Sequence, residues 1–248
     1  MPEIILRANT PTELRGGLAE LDIDVPARSE GRTNHHAERY CIAHLLATLP
    51  IERLSFPLTL IHSDKPDFVL AMAGGEVGIE HTEAVPENVA RADFLRAKQG
   101  LGPDVYFTPR ATPGEPRKTA AQLRDEIEAD APGCGWGGDS PEREWAAAMA
   151  HYVKEKIPKA TANGFVRYRT NWLIVYDNWP LPAVNYTRAA SHLAPILMDL
   201  GAFTVFDAIF VHGDSQMCEF RGAPIIHALV KPGAAPHLPP APSEGRPL

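Results

Sequence analysis

Cysteine is scarce: three residues in 248, at positions 41, 134 and 218, too far apart to suggest a metal-ligand pair. An odd count at such spacing argues for reduced thiols and a cytoplasmic setting rather than a disulfide-stapled secreted domain. No apolar stretch approaches the ~20 residues that cross a bilayer, and the opening MPEIILRANTPTEL is too polar for a secretory leader, so no membrane partner is expected. Basic side chains are outnumbered, 24 against 31, for a formal charge of −7. That excludes a protein that gathers polyanions by bulk charge; nucleic acid must be met by a local basic patch or through a metal. Also missing are a P-loop, a G-x-S-x-G elbow, an H-E-x-x-H pair and any internal repeat.

What is present is an ordinary globular composition, 44% apolar and 22% charged, with an unusual 24 prolines. The length suits one large domain with a sizeable core. Residues 1–30 carry few periodic signals and read as an irregular arm. Thr33 or Asn34 caps a helix whose apolar set, Tyr40, Ala43, Leu45, Leu46 and Leu49, ends at Pro50. Three strands follow, over 54–62, 67–72 and 76–82, the last two joined by a Gly74-Gly75 hairpin. Pro57 points to an edge or a bulge for the first of them.

The pattern loosens over about 83–139, which reads as a polar insertion with helices at 87–99 and 117–130. Ser140-Pro141 then opens a helix to about Lys159, with Ser140 as its cap and an apolar face of Trp145, Ala148, Met149, Tyr152, Val153 and Ile157. Residues 171–177 and 206–212 are continuous apolar runs of the kind buried on both faces of a sheet. A helix over 186–200 separates them, and 225–230 supplies a final edge strand. The tail, 232–248, holds six prolines and is expected to be disordered. The expectation is one α/β domain over 31–231: a mixed sheet with helices on both faces.

Two carboxylates carry the chemistry. Asp67 lies seven residues before Gly74, and Glu80 five after Gly75, so the hairpin brings them to the same end, within cross-strand or diagonal reach. Gly78, Glu80 and Thr82 share one face of their strand. Two acids so placed suit a hard divalent cation, with the His81 carbonyl as a further oxygen ligand. Lys65-Pro66-Asp67-Phe68, a twelve-residue spacer before position 80 counted from Asp67, and Glu80-His81-Thr82 together resemble the PD-(D/E)XK nuclease superfamily, the restriction-endonuclease-like fold. The succession of elements from Glu38 to about His212 resembles its αβββαβ core.

That resemblance implies a hydrolase of phosphodiester bonds that uses Mg²⁺ or Mn²⁺, held by Asp67 and Glu80, with Glu38 of the preceding helix completing the site. It implies nucleic acid as partner, DNA before RNA, and leaves a homodimer open. Thr82 stands where the family has lysine, and a hydroxyl carries no charge. The helix over 140–159 offers Lys154 and Lys156 as replacements, and Lys156 lies next to its apolar stripe. Between Glu142 and Arg169 there are three acids against six bases, among them Lys154, Lys159, Arg167 and Arg169, which suits phosphate contact.

Structural roles compete for each of these residues. Asp67 after Pro66 fits a turn, Glu38 fits the helix dipole, and the lysines fit a solvated face. Glu80 is harder to explain away, because a carboxylate on a buried sheet face is unstable unless paired or metal-bound. His35, His36 and His44 lie near Glu38 without the spacing of a metal motif. Asp177, at the end of a buried strand, is a weaker site candidate. Two other readings therefore stay open: a nuclease-like fold that binds nucleic acid or a protein without cleaving, and a small-molecule enzyme or interaction module centred on Asp177.

Overall fold

In the computed structural model, residues 2–102, 110–131, 133 and 135–234 are described. Eight strands form one mixed sheet whose spatial order is the order of the chain: β1 (Glu3–Ala8), β2 (Leu58–His62), β3 (Phe68–Met72), β4 (Gly75–Ala84), β5 (Thr170–Asp177), β6 (Ala208–His212), β7 (Gln216–Phe220) and β8 (Ile225–Ala228). β1 to β4 run antiparallel, β4, β5 and β6 run parallel, and β6 to β8 return to antiparallel. The fold is mixed α/β, with six α-helices among the described residues.

Alternation along the central strands divides the core. Trp172, Ile174 and Phe210 pack on one face with Val77 and Ile79. That face is covered by α1 (Pro11–Glu20) and α2 (Asn34–Thr48). Leu173, Val175, Ile209 and Val211 pack on the other, under α5 (Ser140–Ala160) and α6 (Tyr186–Asp199). A parallel strand covered on both sides reads as an unbroken apolar run, which is why β5 and β6 stand out in the sequence. α3 (Glu87–Gln99) and α4 (Ala120–Ala129) form the polar insertion between β4 and α5, joined by a small core of Ala92, Leu123 and Ile127.

The sequence expectations need four corrections. Residues 1–30 are not an irregular arm: β1 pairs antiparallel with β2, and α1 buries Leu14 and Leu18 against the core. The Thr10 side chain caps α1 by accepting from the Glu13 amide at 3.2 Å, and Pro11 takes the first helical turn, where a missing N–H is harmless. Pro57 does not mark an edge: it stands just before β2, which is interior. The cap of α5 is Asp139 rather than Ser140. β7 was unforeseen, because its Glu219 interrupts the apolar pattern. Most of the proline-rich tail, 235–248, and Cys134 lie outside the described residues; Cys41 and Cys218 are buried free thiols. Among the described residues no helix is long and apolar enough to cross a membrane.

Candidate functional site

The β3–β4 register ends at Phe68↔Ile79, so Asp67 stands one residue further, across from Glu80. Phe68 and Ile79 both enter the core under α2. Alternation turns Asp67 and Glu80 the other way, toward α5. Gly78 makes room for this arrangement: a Cβ there would come within 3.1 Å of the Pro66 ring and 2.7 Å of Tyr168. The ring of Pro66 therefore lies close over β4 and sets where Asp67 leaves it.

Glu80 is 8% exposed. The Lys156 amine of α5 donates to its Oε1 at 2.5 Å. Its Oε2 is buried with no hydrogen-bond partner among the described residues. Asp67 Oδ2 accepts from the His81 backbone N–H at 2.7 Å. Burial and then the neighbouring Glu80 charge push the Asp67 carboxyl up to about 7, against the pull of Lys156 and the His81 amide, with a small further push from Glu38. An acid raised that far beside an orphaned carboxylate oxygen means two carboxyl groups with one ammonium, bound to Glu80, to balance them, an arrangement that a second positive charge would stabilise.

His81 contributes through its main chain. A strand residue's N–H and C=O project to the same edge, so the His81 carbonyl also faces the β3 side, where the ladder has ended. Its ring turns to the opposite face and is buried. Burial, the charge of Lys156 and the approach of His212 and Arg32 lower that ring to about 3, so it stays neutral. Thr82 shares the face of Glu80 opposite Val175 and is partly exposed.

Glu38 sits in the first turns of α2, 8% exposed. Its Oε2 is 3.0 Å from His35 Nδ1 and 3.2 Å from His62 Nε2. Its nearest polar company is therefore a histidine pair on the α2 side of the sheet, and its charge reaches Asp67 from there. His62 is the last residue of β2, 24 positions beyond Glu38, and nothing in the local sequence ties the two together. His36 is engaged elsewhere: its Nδ1 accepts from the Thr33 amide at 2.9 Å at the start of α2.

Lys154 and Lys159 are exposed on α5 on either side of Lys156. Arg167 is exposed too, with its guanidinium directed to the Val205 carbonyl at 3.2 Å. Arg169 belongs to another place. It lines a groove of about 520 Å³ at the hairpin end of the sheet, with Arg53, Arg221 and Trp172. Asp177 is held by Trp145 Nε1 at 2.6 Å and the Trp179 amide at 3.2 Å, and burial raises it to about 6. It lines a groove of about 310 Å³ with Trp179, Tyr186 and Asp214.

Sequence reasoning missed two features of the molecule. His62 joins Glu38 only through the β2–α2 packing. Glu219, 1% exposed on β7, is held by Arg53 at 2.8 Å, Arg221 at 2.8 Å and His227 at 2.9 Å. The chain matches no protein-family model, no curated protein and no solved structure, so the chemistry of the site is argued from its own geometry.

Proposed function

We propose that the chain is a divalent-metal-dependent phosphodiesterase acting on nucleic acid, with DNA as the first substrate to test. The observation that carries this reading is Glu80: one oxygen on the Lys156 amine, the other buried and without a partner among the described residues, and Asp67 on the neighbouring strand's end with its carboxyl raised to about 7. The donors fit Mg²⁺ or Mn²⁺, since two carboxylates and the His81 carbonyl are hard oxygen ligands. When bound, such a cation polarises a phosphoryl oxygen and lowers the pKa of a coordinated water.

The rest falls to the chain. Asp67 and Glu80 supply the negative charge that draws the cation to one end of β3. The His81 amide fixes the Asp67 rotamer. Lys156 holds Glu80 in place and brings a full positive charge to the spot where phosphate charge develops, a role Thr82 cannot fill. Lys154 and Lys159 extend that charge along α5 for contact with backbone phosphates. The PD-(D/E)XK resemblance of Pro66-Asp67, Glu80 and the strand order points the same way, with the amine supplied by α5 instead of β4.

The test is cleavage of plasmid and of single-stranded oligonucleotides with Mg²⁺ or Mn²⁺ by the wild type and by Asp67→Asn and Glu80→Gln. Metal-dependent cleavage lost in both variants supports the proposal. Equal cleavage by all three proteins overturns it. Metal-independent binding without cleavage replaces it with the reading of a nuclease-like fold that binds only.

A further inference from the structure

The geometry points to a second metal site, separate from the two acids: His35, Glu38 and His62 form a three-ligand centre for a divalent transition-metal ion. The three donor atoms, His35 Nδ1, Glu38 Oε2 and His62 Nε2, all lie within 4.8 Å of one another. Donors bound at 2.0–2.2 Å around a tetrahedral ion stand about 3.3–3.6 Å apart. The observed 3.0 and 3.2 Å from Glu38 to the two imidazoles need only a small outward movement.

The surroundings favour a site over a chance meeting. His35 and Glu38 are three residues apart in the first two turns of α2, so they share a helix face. His62 comes from the end of β2, and its ring is steadied edge-on against Phe68 at 5.3 Å. α2 and β2 are both packed into the same core, so all three ligands stand on rigid elements. Glu38 is buried, while the His35 side chain is 65% exposed, which leaves an open path for an ion to enter. Among the described residues, only these two imidazoles make hydrogen bonds or ion pairs with the Glu38 carboxylate.

Donor chemistry selects the ion. Two imidazoles and one carboxylate suit Zn²⁺, Mn²⁺, Fe²⁺ or Co²⁺; Mg²⁺ and Ca²⁺ take oxygen sets. Three protein ligands leave a tetrahedral ion one open position for water or an anion. The site sits on the α2 side of the sheet and the Asp67–Glu80 pair on the α5 side, so the two sets share no ligand. This inference does not depend on the phosphodiesterase reading.

The experiment is a titration of the metal-free protein with Co²⁺, read by its visible ligand-field absorption, and with Zn²⁺, read by calorimetry. The wild type is expected to bind one equivalent, with bands typical of nitrogen ligation that persist in a large excess of Mg²⁺. His35→Ala, an exposed change that spares the core, and His62→Ala should each weaken binding by about tenfold or more, since even outer-shell partners of a metal are worth that much. The double variant Asp67→Asn/Glu80→Gln should bind Co²⁺ as the wild type does, whatever its effect on cleavage. Absence of a Co²⁺ signal, unchanged affinity in His35→Ala, or loss of the signal in Asp67→Asn/Glu80→Gln overturns the inference.

Discussion

Asp67→Asn probes the charge balance of the site without any substrate. The Asp67 carboxyl moves from 3.8 to about 7 on folding, a rise of about three pH units. Each unit corresponds to 1.36 kcal/mol, so the ionised carboxylate opposes folding by at most about 4 kcal/mol. The side chain is only partly buried, and solvent screens the charge, so about 1–3 kcal/mol is the working figure. The sign follows from proton counting. Between about pH 4 and 7 the folded chain holds a proton that the unfolded chain has lost, so stability falls as pH rises through that window. Above 7 the opposition is complete; below 4 it vanishes.

Asparagine has no charge to lose and keeps an oxygen to accept the His81 N–H. In urea with EDTA at pH 8, Asp67→Asn should therefore be more stable than the wild type by about 1–3 kcal/mol, which is roughly 2–10 °C in Tm. The gap should narrow at pH 5 and close near pH 4. Adding Mg²⁺ should stabilise the wild type by mass action and leave the variant unmoved. A variant that is less stable at pH 8, or a gap that does not change with pH, refutes the electrostatic account of the site.

Lys156→Met leaves Glu80 buried without its counter-charge. It should lower stability in EDTA by about 2–4 kcal/mol, partly recovered with Mg²⁺, and reduce cleavage by about 100-fold or more, measured by urea titration and plasmid nicking. Gly78→Ala places a methyl against Tyr168 and the Pro66 ring; it should lower stability by about 1–3 kcal/mol and slow cleavage through misplacement of Asp67, with metal affinity falling alongside. Glu219→Gln removes a buried anion from three basic partners. Burial alone would raise that carboxyl, but hydrogen bonds from His227 and Arg53 and the charges of Arg53 and Arg221 hold it at about 2. The folded chain therefore releases this proton more readily than the unfolded one, so its stabilising effect is complete above about pH 4.5 and is lost as pH falls toward 2. At pH 7 the variant should be less stable by about 2–4 kcal/mol, and the difference should shrink on acid titration.

Elements whose signal is local were legible in the sequence. The hairpin at Gly74-Gly75 and the two doubly buried strands, β5 and β6, each carry their pattern in fewer than a dozen residues. α3 needs only its own helical composition between Pro86 and Gly100. β1 and α1 had signals that were too short to weigh: a three-residue apolar run, Ile4-Ile5-Leu6, and the Thr10-Pro11 cap. Their stability comes from β2, which begins 38 residues after α1 ends, and from the core under α2, which begins 14 residues after it. β7 was hidden because Glu219 breaks its apolar run, and the carboxylate is tolerable there because Arg53, 166 positions earlier, joins Arg221 and His227 around it. The same limit applies to His62, whose company with Glu38 is created by tertiary packing.

Lys156 marks the boundary between the two cases. The stripe Trp145, Met149 and Val153 advances by four residues at each step, and all three are fully buried. At 100° per residue, Lys156 lies three positions beyond Val153, about 60° off the stripe on the side of Tyr152. Lys154 is one position beyond Val153, about 100° away toward solvent. Helix geometry alone therefore separates the two lysines, and the structure has Lys154 exposed and Lys156 half-buried. What the helix cannot say is which strand lies beneath. That depends on the parallel pairing of β4 with β5, in which Glu80 stands beside Leu173 in the layer that α5 covers. A local rule chose the amine, and a register set by distant strands chose its partner.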